Sequence, residues 1–355
     1  MGLLKLDGFE GYGPHDTRAS DDPTLERRLN VRWNRVEGAY GGTTRSSRIL
    51  GSPSARGGAL CWDFRDSISH NWVTWLKPCM SHIVMGYAVR PWSGEWGDQL
   101  RFRESGKDCL ILGYAHGGHI YLKDSNSTVI DRTGDPHLRW CRWNYIEIKA
   151  TFHNTTGSVE LRHNGKTVIT AQNQDLAGFS GNYINNLKFD YRDGLLVDDI
   201  YILDPTTPGL NDFLGPVVIR RLAPTADTAI ADFTPSTGTS HCACVDDDRA
   251  DETDYVESST VNDDDLWDYE DVPSEIAAIK AVNIVTDAAV TGSQAKKVVS
   301  LCKSGVAAVQ EVGEGVTIAT PWQEFNHPVE NDPNTGSPWT LSGLNAAQFG
   351  VRHKA

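Results

Sequence analysis

The chain has 355 residues, 39% hydrophobic and 23% charged, with 33 glycines and 11 tryptophans. That length suits two domains, each able to bury a core without staples. The formal net charge of −14 opposes a phosphate backbone and excludes nucleic acid as a partner, and no stretch approaches the roughly 20 apolar residues of a membrane span.

The opening Met1-Gly-Leu-Leu-Lys-Leu-Asp-Gly-Phe9 has no apolar run of the signal-peptide kind, so the chain is expected to be made in a cytoplasm without a Sec leader. Strand signals then follow one another. Leu60–Phe64, entered from Gly57-Gly58, is rich in strand formers. His82–Arg90 stops at Pro91, Gln99–Glu104 alternates apolar with charged, and Cys109–Tyr114 and His119–Lys123 come next. Trp143–Phe152 alternates at period two, which gives a strand with one buried and one wet face. Asn164-Gly165 between Ser158–His163 and Lys166–Ala171 is a strong short-range hairpin signal. Leu187–Tyr191 and Leu195–Leu203 close the series. About nine or ten short strands with regular turns predict an all-β sandwich over residues 1–205.

Pro205-Thr-Thr-Pro-Gly209 interrupts the pattern, and a short strand is expected at Pro216–Leu222. The excess acid is concentrated between Asp232 and Glu275, so residues 206–275 read as a linker and an acidic extended segment. From Ile276, strand signals resume at Ala278–Thr286, Ala295–Lys303 and Val316–Thr320. A helical turn around Ser342–Ala346 precedes a last strand, Gln348–Arg352, giving a smaller β-rich sandwich over 276–355.

The candidate chemistry is sparse. Retaining glycosidases need two carboxyls about 5–5.5 Å apart. Here Glu147 and Glu160 lack a partner two residues away, and adjacent Asp198 and Asp199 would face opposite sides of a regular strand. These carboxylates are expected to be solvated or capping, and no enzymatic activity is expected. His241-Cys-Ala-Cys244 supplies one thiolate pair, where a zinc site wants two, and the alternative for Cys242 and Cys244 is a disulfide. Asp246-Asp-Asp248 and Asp263-Asp-Asp265 lack calcium-loop spacing, so they, with Trp267, are read as an acidic interface for neighbouring subunits. Neither metal nor cofactor is expected. Seven cysteines in a reducing compartment suggest free thiols, with inter-chain bridging as the alternative. Trp62, Trp72, Trp75, Trp140 and Trp143 read as core aromatics, whereas Trp92 and Trp96 bracket a Ser-Gly-Glu loop and are a candidate sugar-stacking platform.

Several stretches together carry a resemblance. Leu6-Asp-Gly-Phe-Glu-Gly-Tyr12, Trp143-Asn-Tyr-Ile-Glu-Ile-Lys-Ala150, the hairpin over Gly157–Gly165 and Val197-Asp-Asp-Ile-Tyr-Ile-Leu-Asp204 resemble the laminin-G-like, concanavalin A-type jelly roll. Asn211–Pro216, Asp232–Ser236, the Asp-rich run, Asp332–Thr340 and Ala347–Val351 look like the tail region of tailed-bacteriophage virion structural proteins. That likeness implies a structural component of a phage particle (tail, collar, baseplate or head decoration). Such a component would act by assembly with other virion proteins and as a homo-oligomer, first a trimer. The other reading is a carbohydrate-binding adhesin that contacts host surface glycan, and a glycan-degrading enzyme is the third.

Overall fold

The computed structural model describes residues 2–9, 35–37, 48–51, 60–63, 70–91, 97–179, 181–191, 195–247, 252–292, 294–319 and 322–354. Trp92, Trp96 and Asp248 lie outside the described residues, as do the side chains of Trp62, Trp72 and Trp75. The chain divides into two compact units, Met1–Arg220 and Arg221–Ala355. The boundary therefore falls after residue 220 rather than at 205.

Unit 1 is an antiparallel β-sandwich, two sheets over one core. Its strands are β1 (Leu3–Asp7), β2 (Arg35–Glu37), β3 (Arg48–Gly51), β4 (Leu60–Asp63), β5 (His70–Met80), β6 (His82–Pro91), β7 (Gly97–Glu104) and β8 (Lys107–Ala115). They continue with β9 (His119–Lys123), β10 (Val129–Arg132), β11 (Asn144–Thr151), β12 (Gly157–His163), β13 (Lys166–Gln174), β14 (Ile184–Tyr191) and β15 (Leu195–Leu203). One sheet runs β13-β12-β11-β6-β15-β4-β3 with β1 added beside β15, and the other runs β10-β9-β8-β7-β14-β5-β2. Alternation explains the layering. Ile83, Met85, Tyr87 and Val89 of β6 and Ile146, Ile148 and Ala150 of β11 meet Leu100 and Phe102 of β7 and Leu110, Leu112 and Tyr114 of β8 in one core. The Tyr87 and Tyr114 hydroxyls satisfy each other there at 2.8 Å. Asn164 (φ 49°) and Gly165 (φ 78°) take the two left-handed positions that the Asn-Gly hairpin requires.

The tail of unit 1 differs from expectation. Residues 216–222 form no strand. Instead the segment after β15 lies over the outer face of the first sheet. Tyr201 Oη donates to Glu147 Oε1 at 2.7 Å, Gly215 N donates to the same oxygen at 2.8 Å, and Ile219 N donates to Asp199 Oδ1 at 2.7 Å. Arg162 stacks on the Phe213 ring at 3.9 Å. Glu147, Asp198 and Asp199 are consequently fully buried, not solvated. A bulge between Asp198 and Tyr201, with Asp199 at φ 51°, removes the two adjacent aspartates from strict alternation.

Unit 2 contains β16 (Pro224–Ala231), β17 (Thr234–Pro235), β18 (Val256–Glu257), β19 (Asp264–Tyr269), β20 (Val282–Ala288), β21 (Lys296–Lys303), β22 (Gln310–Ile318), β23 (Gln323–Val329), α1 (Leu341–Asn345) and β24 (Gln348–Lys354). Its main sheet runs β16-β19-β24-β21-β22, so the stretch expected to be linker and extended segment supplies two of the five strands. On one face Ile284 of β20, Leu344 of α1 and Trp339 pack on Cys302 and Phe349, and on the other Leu266, Val299 and Leu301 cluster. Thr340 caps α1 by accepting from Gly343 N. No helix of the described residues is long and apolar enough to cross a membrane.

Candidate functional site

The outer face of the second sheet of unit 1 carries a group of polar side chains placed by irregular backbone. In a regular strand Asp98 and Arg101, three residues apart, would point to opposite faces. On β7, Asp98 pairs with Gly113 but Leu100 pairs with Leu112, so Gln99 is an extra residue and the alternation resets. A second bulge follows. Phe102 pairs with Leu110 and Arg103 with Asp108, which leaves Cys109 extra on β8. Cys109 and Leu110 both enter the core, while Asp108 joins Arg101 and Arg103 outside. Two bulges thus each deliver one carboxylate beside Arg101, the kind of local re-aiming that bulges achieve near binding sites.

The resulting row is joined by hydrogen bonds and ion pairs. Arg101 donates to Asp98 Oδ2 at 2.9 Å and to Asp108 Oδ2 at 2.5 Å. Arg103 Nε lies 3.0 Å from Asp108 Oδ1, an ion pair too oblique for a hydrogen bond. Tyr121 Oη and Lys123 Nζ both donate to Asp98 Oδ1, at 2.8 and 2.7 Å. These charged side chains are each about one-fifth exposed. Burial alone would raise the Asp98 pKa, but the bonds from Lys123 and Tyr121 and the charges of Lys123 and Arg101 outweigh it and hold the carboxyl below its ordinary value.

Gly113 explains the position of the aromatic member. Tyr121 stands opposite it in the ladder, and a Cβ on Gly113 would come within 2.2 Å of the Tyr121 ring. The ring therefore lies across the strand where a side chain is missing, with Lys123 Nζ 5.0 Å from its centroid. Lys188 of β14, opposite Arg101, and Asn186, opposite Arg103, extend the polar face. The arrangement offers carboxylate acceptors, guanidinium and ammonium donors and an aromatic surface on one rigid sheet, a combination suited to a polyhydroxylated ligand.

The sequence-predicted site residues fare differently. Asp263, Asp264, Asp265 and Trp267 are turned into unit 2 rather than presented as an interface. Asp264 takes two bonds from Arg352, at 2.6 and 2.7 Å, and Asp263 accepts from Ser258 Oγ at 2.7 Å. Asp265 is fully buried against His241 Nδ1 at 2.8 Å, and Trp267 is 5% exposed. The Asp246 and Asp247 side chains are exposed, and their backbone carbonyls accept from Arg221. Cys242 and Cys244 are free, buried thiols in a 3-10 turn, so no disulfide joins them. Among the described residues no group of three or more His, Cys, Asp or Glu side chains could hold a metal ion. Trp140, expected in the core, is 42% exposed. Sequence reading missed Asp98, Arg101, Asp108, Tyr121 and Lys123. The alternation of Gln99–Glu104 marks the strand, but nothing in it announces a bulge.

No family model and no curated protein matches the chain. Among solved structures, the alginate lyase Aly36B is 11% identical over 57% of this chain and 96% of its own, with a TM-score of 0.34. A Bacillus subtilis protein of unknown function with a galectin-like fold is 12% identical over 57% of this chain and 96% of its own, at a TM-score of 0.33. The Caenorhabditis elegans galectin LEC-6 is 11% identical over 37% of this chain and 88% of its own, at 0.29.

Proposed function

We propose that unit 1 is a non-catalytic carbohydrate-recognition module that binds glycan on the outer face of its second sheet, along Asp98, Arg101, Asp108, Tyr121 and Lys123. The observation that carries this reading is the pair of bulges that set a carboxylate on each side of Arg101. A single ion pair on a sheet surface contributes roughly 0–1 kcal/mol, so stability alone gives little reason for two backbone irregularities. A row of fixed donors and acceptors beside an aromatic ring matches vicinal sugar hydroxyls. The acidic chain as a whole disfavours polyanions such as nucleic acid.

The virion location enters through the sequence resemblance alone: on that basis the chain is a host-facing adhesin of a tailed-phage particle. A glycan array tests the binding reading. The full chain is expected to bind a defined set of oligosaccharides, without turnover, and Arg101→Ala is expected to lose at least tenfold in affinity. An array with no binder, or a variant that binds like the parent, sinks it.

A further inference from the structure

Residues 204–220 cross the outer face of the first sheet of unit 1 as a strap without regular secondary structure. The strap contains Pro205, Pro208 and Pro216, and none of its residues is buried. Glu147 beneath it is nevertheless fully buried. We propose that this strap is a two-state device. It is docked in this structure, and in its released state Arg162 turns from the strap to Glu147, holds that carboxylate in the strap's stead and leaves the outer face of the first sheet open.

Three observations carry the inference. First, the docked state leaves a buried carboxylate half satisfied. Glu147 Oε1 accepts from Tyr201 Oη and from Gly215 N, while Glu147 Oε2 is buried with no partner. A buried carboxylate oxygen without a donor is costly, and solvent reaches it only when the strap lifts. Docking therefore carries a penalty that release removes.

Second, a partner for that oxygen stands nearby and is held elsewhere. Glu147 of β11 and Arg162 of β12 are directly opposite in the ladder. Side chains so placed share a face, with Cβ atoms roughly 5 Å apart, and opposite charges there pair favourably. No ion pair joins these two. Instead Arg162 Nε donates to Glu160 Oε1 at 2.9 Å, and the Arg162 guanidinium carbon lies 3.9 Å from the centroid of the Phe213 ring. That cation–π contact exists only while the strap is docked. Arg162 Nε can stay on Glu160 while a terminal nitrogen swings to Glu147, so the exchange of partners needs side-chain rotation and no change in the sheet.

Third, the strap is held lightly. Leu214 N donates to Tyr201 Oη at 3.2 Å and Ile219 N to Asp199 Oδ1 at 2.7 Å. The ion pair of Lys149 with Asp212, at 3.2 Å, joins side chains 43% and 63% exposed, where such a pair contributes little. Gly209 (φ 114°) and Gly215 (φ 82°) bracket the stretch that carries Asp212 and Phe213 and give it the backbone freedom of a hinge. Segments with few buried apolar groups are the ones that open first. Release clears a face that carries Lys149, Glu160 and Arg162, on the side of the sandwich opposite the row of Asp98 and Arg101.

Hydrogen exchange on the full chain, read on a peptide covering 210–219, tests the device. Phe213→Ala removes the contact made only in the docked state and is expected to quicken exchange roughly tenfold. Arg162→Met added to Phe213→Ala removes the pairing of the released state, and exchange should slow again by about threefold or more. Arg162→Lys added instead keeps a charge within reach of Glu147 and should exchange as Phe213→Ala does. An arginine that merely supports the strap gives the opposite order, because losing it from a loosened strap slows nothing. Three results overturn the device: Phe213→Ala exchanging like the parent, no slowing when Arg162→Met is added, or the same slowing when Arg162→Lys is added. Unchanged exchange in peptides from β6 and β8 reports an intact sandwich, and Phe213→Leu with the same two Arg162 substitutions repeats the comparison where Phe213→Ala disturbs it.

Discussion

Replacing Glu147 tests how the tail of unit 1 is latched to its sandwich. Glu147 Oε1 accepts from the Tyr201 hydroxyl at 2.7 Å and from Gly215 N at 2.8 Å, with the carboxyl side chain fully buried. Burial, then the neighbouring carboxylate, pushes the Tyr201 pKa up, so the hydroxyl remains a donor. Glu147→Ala leaves two donors without their acceptor. A stranded buried donor costs about 1–3 kcal/mol, and the Gly215 amide can recover water only if its segment lifts. A local loss of about 3 kcal/mol corresponds to roughly 150-fold. Hydrogen exchange read by mass spectrometry on a peptide covering 210–219 should therefore quicken by about two orders of magnitude, while peptides from β6 and β8 change little. Glu147→Gln keeps the accepting oxygen and should quicken it by roughly tenfold or less, since only charge assistance is lost. Exchange at Leu214 and Gly215 within a factor of three of the parent in Glu147→Ala would refute the latch.

Three further outcomes follow from buried groups. Asp265 has its pKa pushed up to about 6, chiefly by burial and against the pull of His241. An acid with a raised folded pKa binds protons more tightly when folded, so this contribution is present at acid pH and lost as pH rises from about 4 to about 6. Asp265→Asn should flatten that decline in the unfolding midpoint of unit 2, and an unchanged pH slope would contradict it. His163 has the opposite sign. Its pKa is depressed to about 4 by burial, His137 and Arg139, so its contribution is complete above about pH 6.5 and lost as pH falls toward 4. An imidazole NMR titration midpoint for His163 near 6.5 would show that the ring is not buried as described. Finally, Cys79 and Cys141 are exposed, whereas Cys109, Cys242, Cys244 and Cys302 are buried, with the Cys109 and Cys302 thiols pushed up to about 12 by burial. Native alkylation should modify Cys79 and Cys141 and spare those four, and among these six described thiols any inter-chain bridge should run through the exposed pair.

The sandwich was legible because period-two alternation and the Asn164-Gly165 turn are local signals that tertiary structure has no reason to override. β6, β8, β11 and the β12–β13 hairpin fall within a few residues of where the pattern puts them. The site was not legible, for a physical reason. Asp98 and Asp108 reach the face of Arg101 only because Gln99 and Cys109 are extra residues, and a break in alternation does not by itself distinguish a bulge from a strand end. The same blindness hid Asp199, whose positive φ within a bulge takes it and Asp198 out of strict alternation. The acidic run misled in the other direction. Asp264 and Asp265 look like a solvated cluster, yet Arg352 lies 88 positions from Asp264 and His241 lies 24 from Asp265. Partners that distant turn apparent surface charge into internal pairing.

Oxidative footprinting with an array-positive oligosaccharide tests the central claim most directly, because it reports where the ligand sits as well as whether it binds. The account predicts that saturating glycan protects Tyr121 and Lys123, while Tyr255 and Tyr269 of unit 2 keep their reactivity. Protection confined to unit 2, or binding that leaves Tyr121 as reactive as in the free chain, would contradict it.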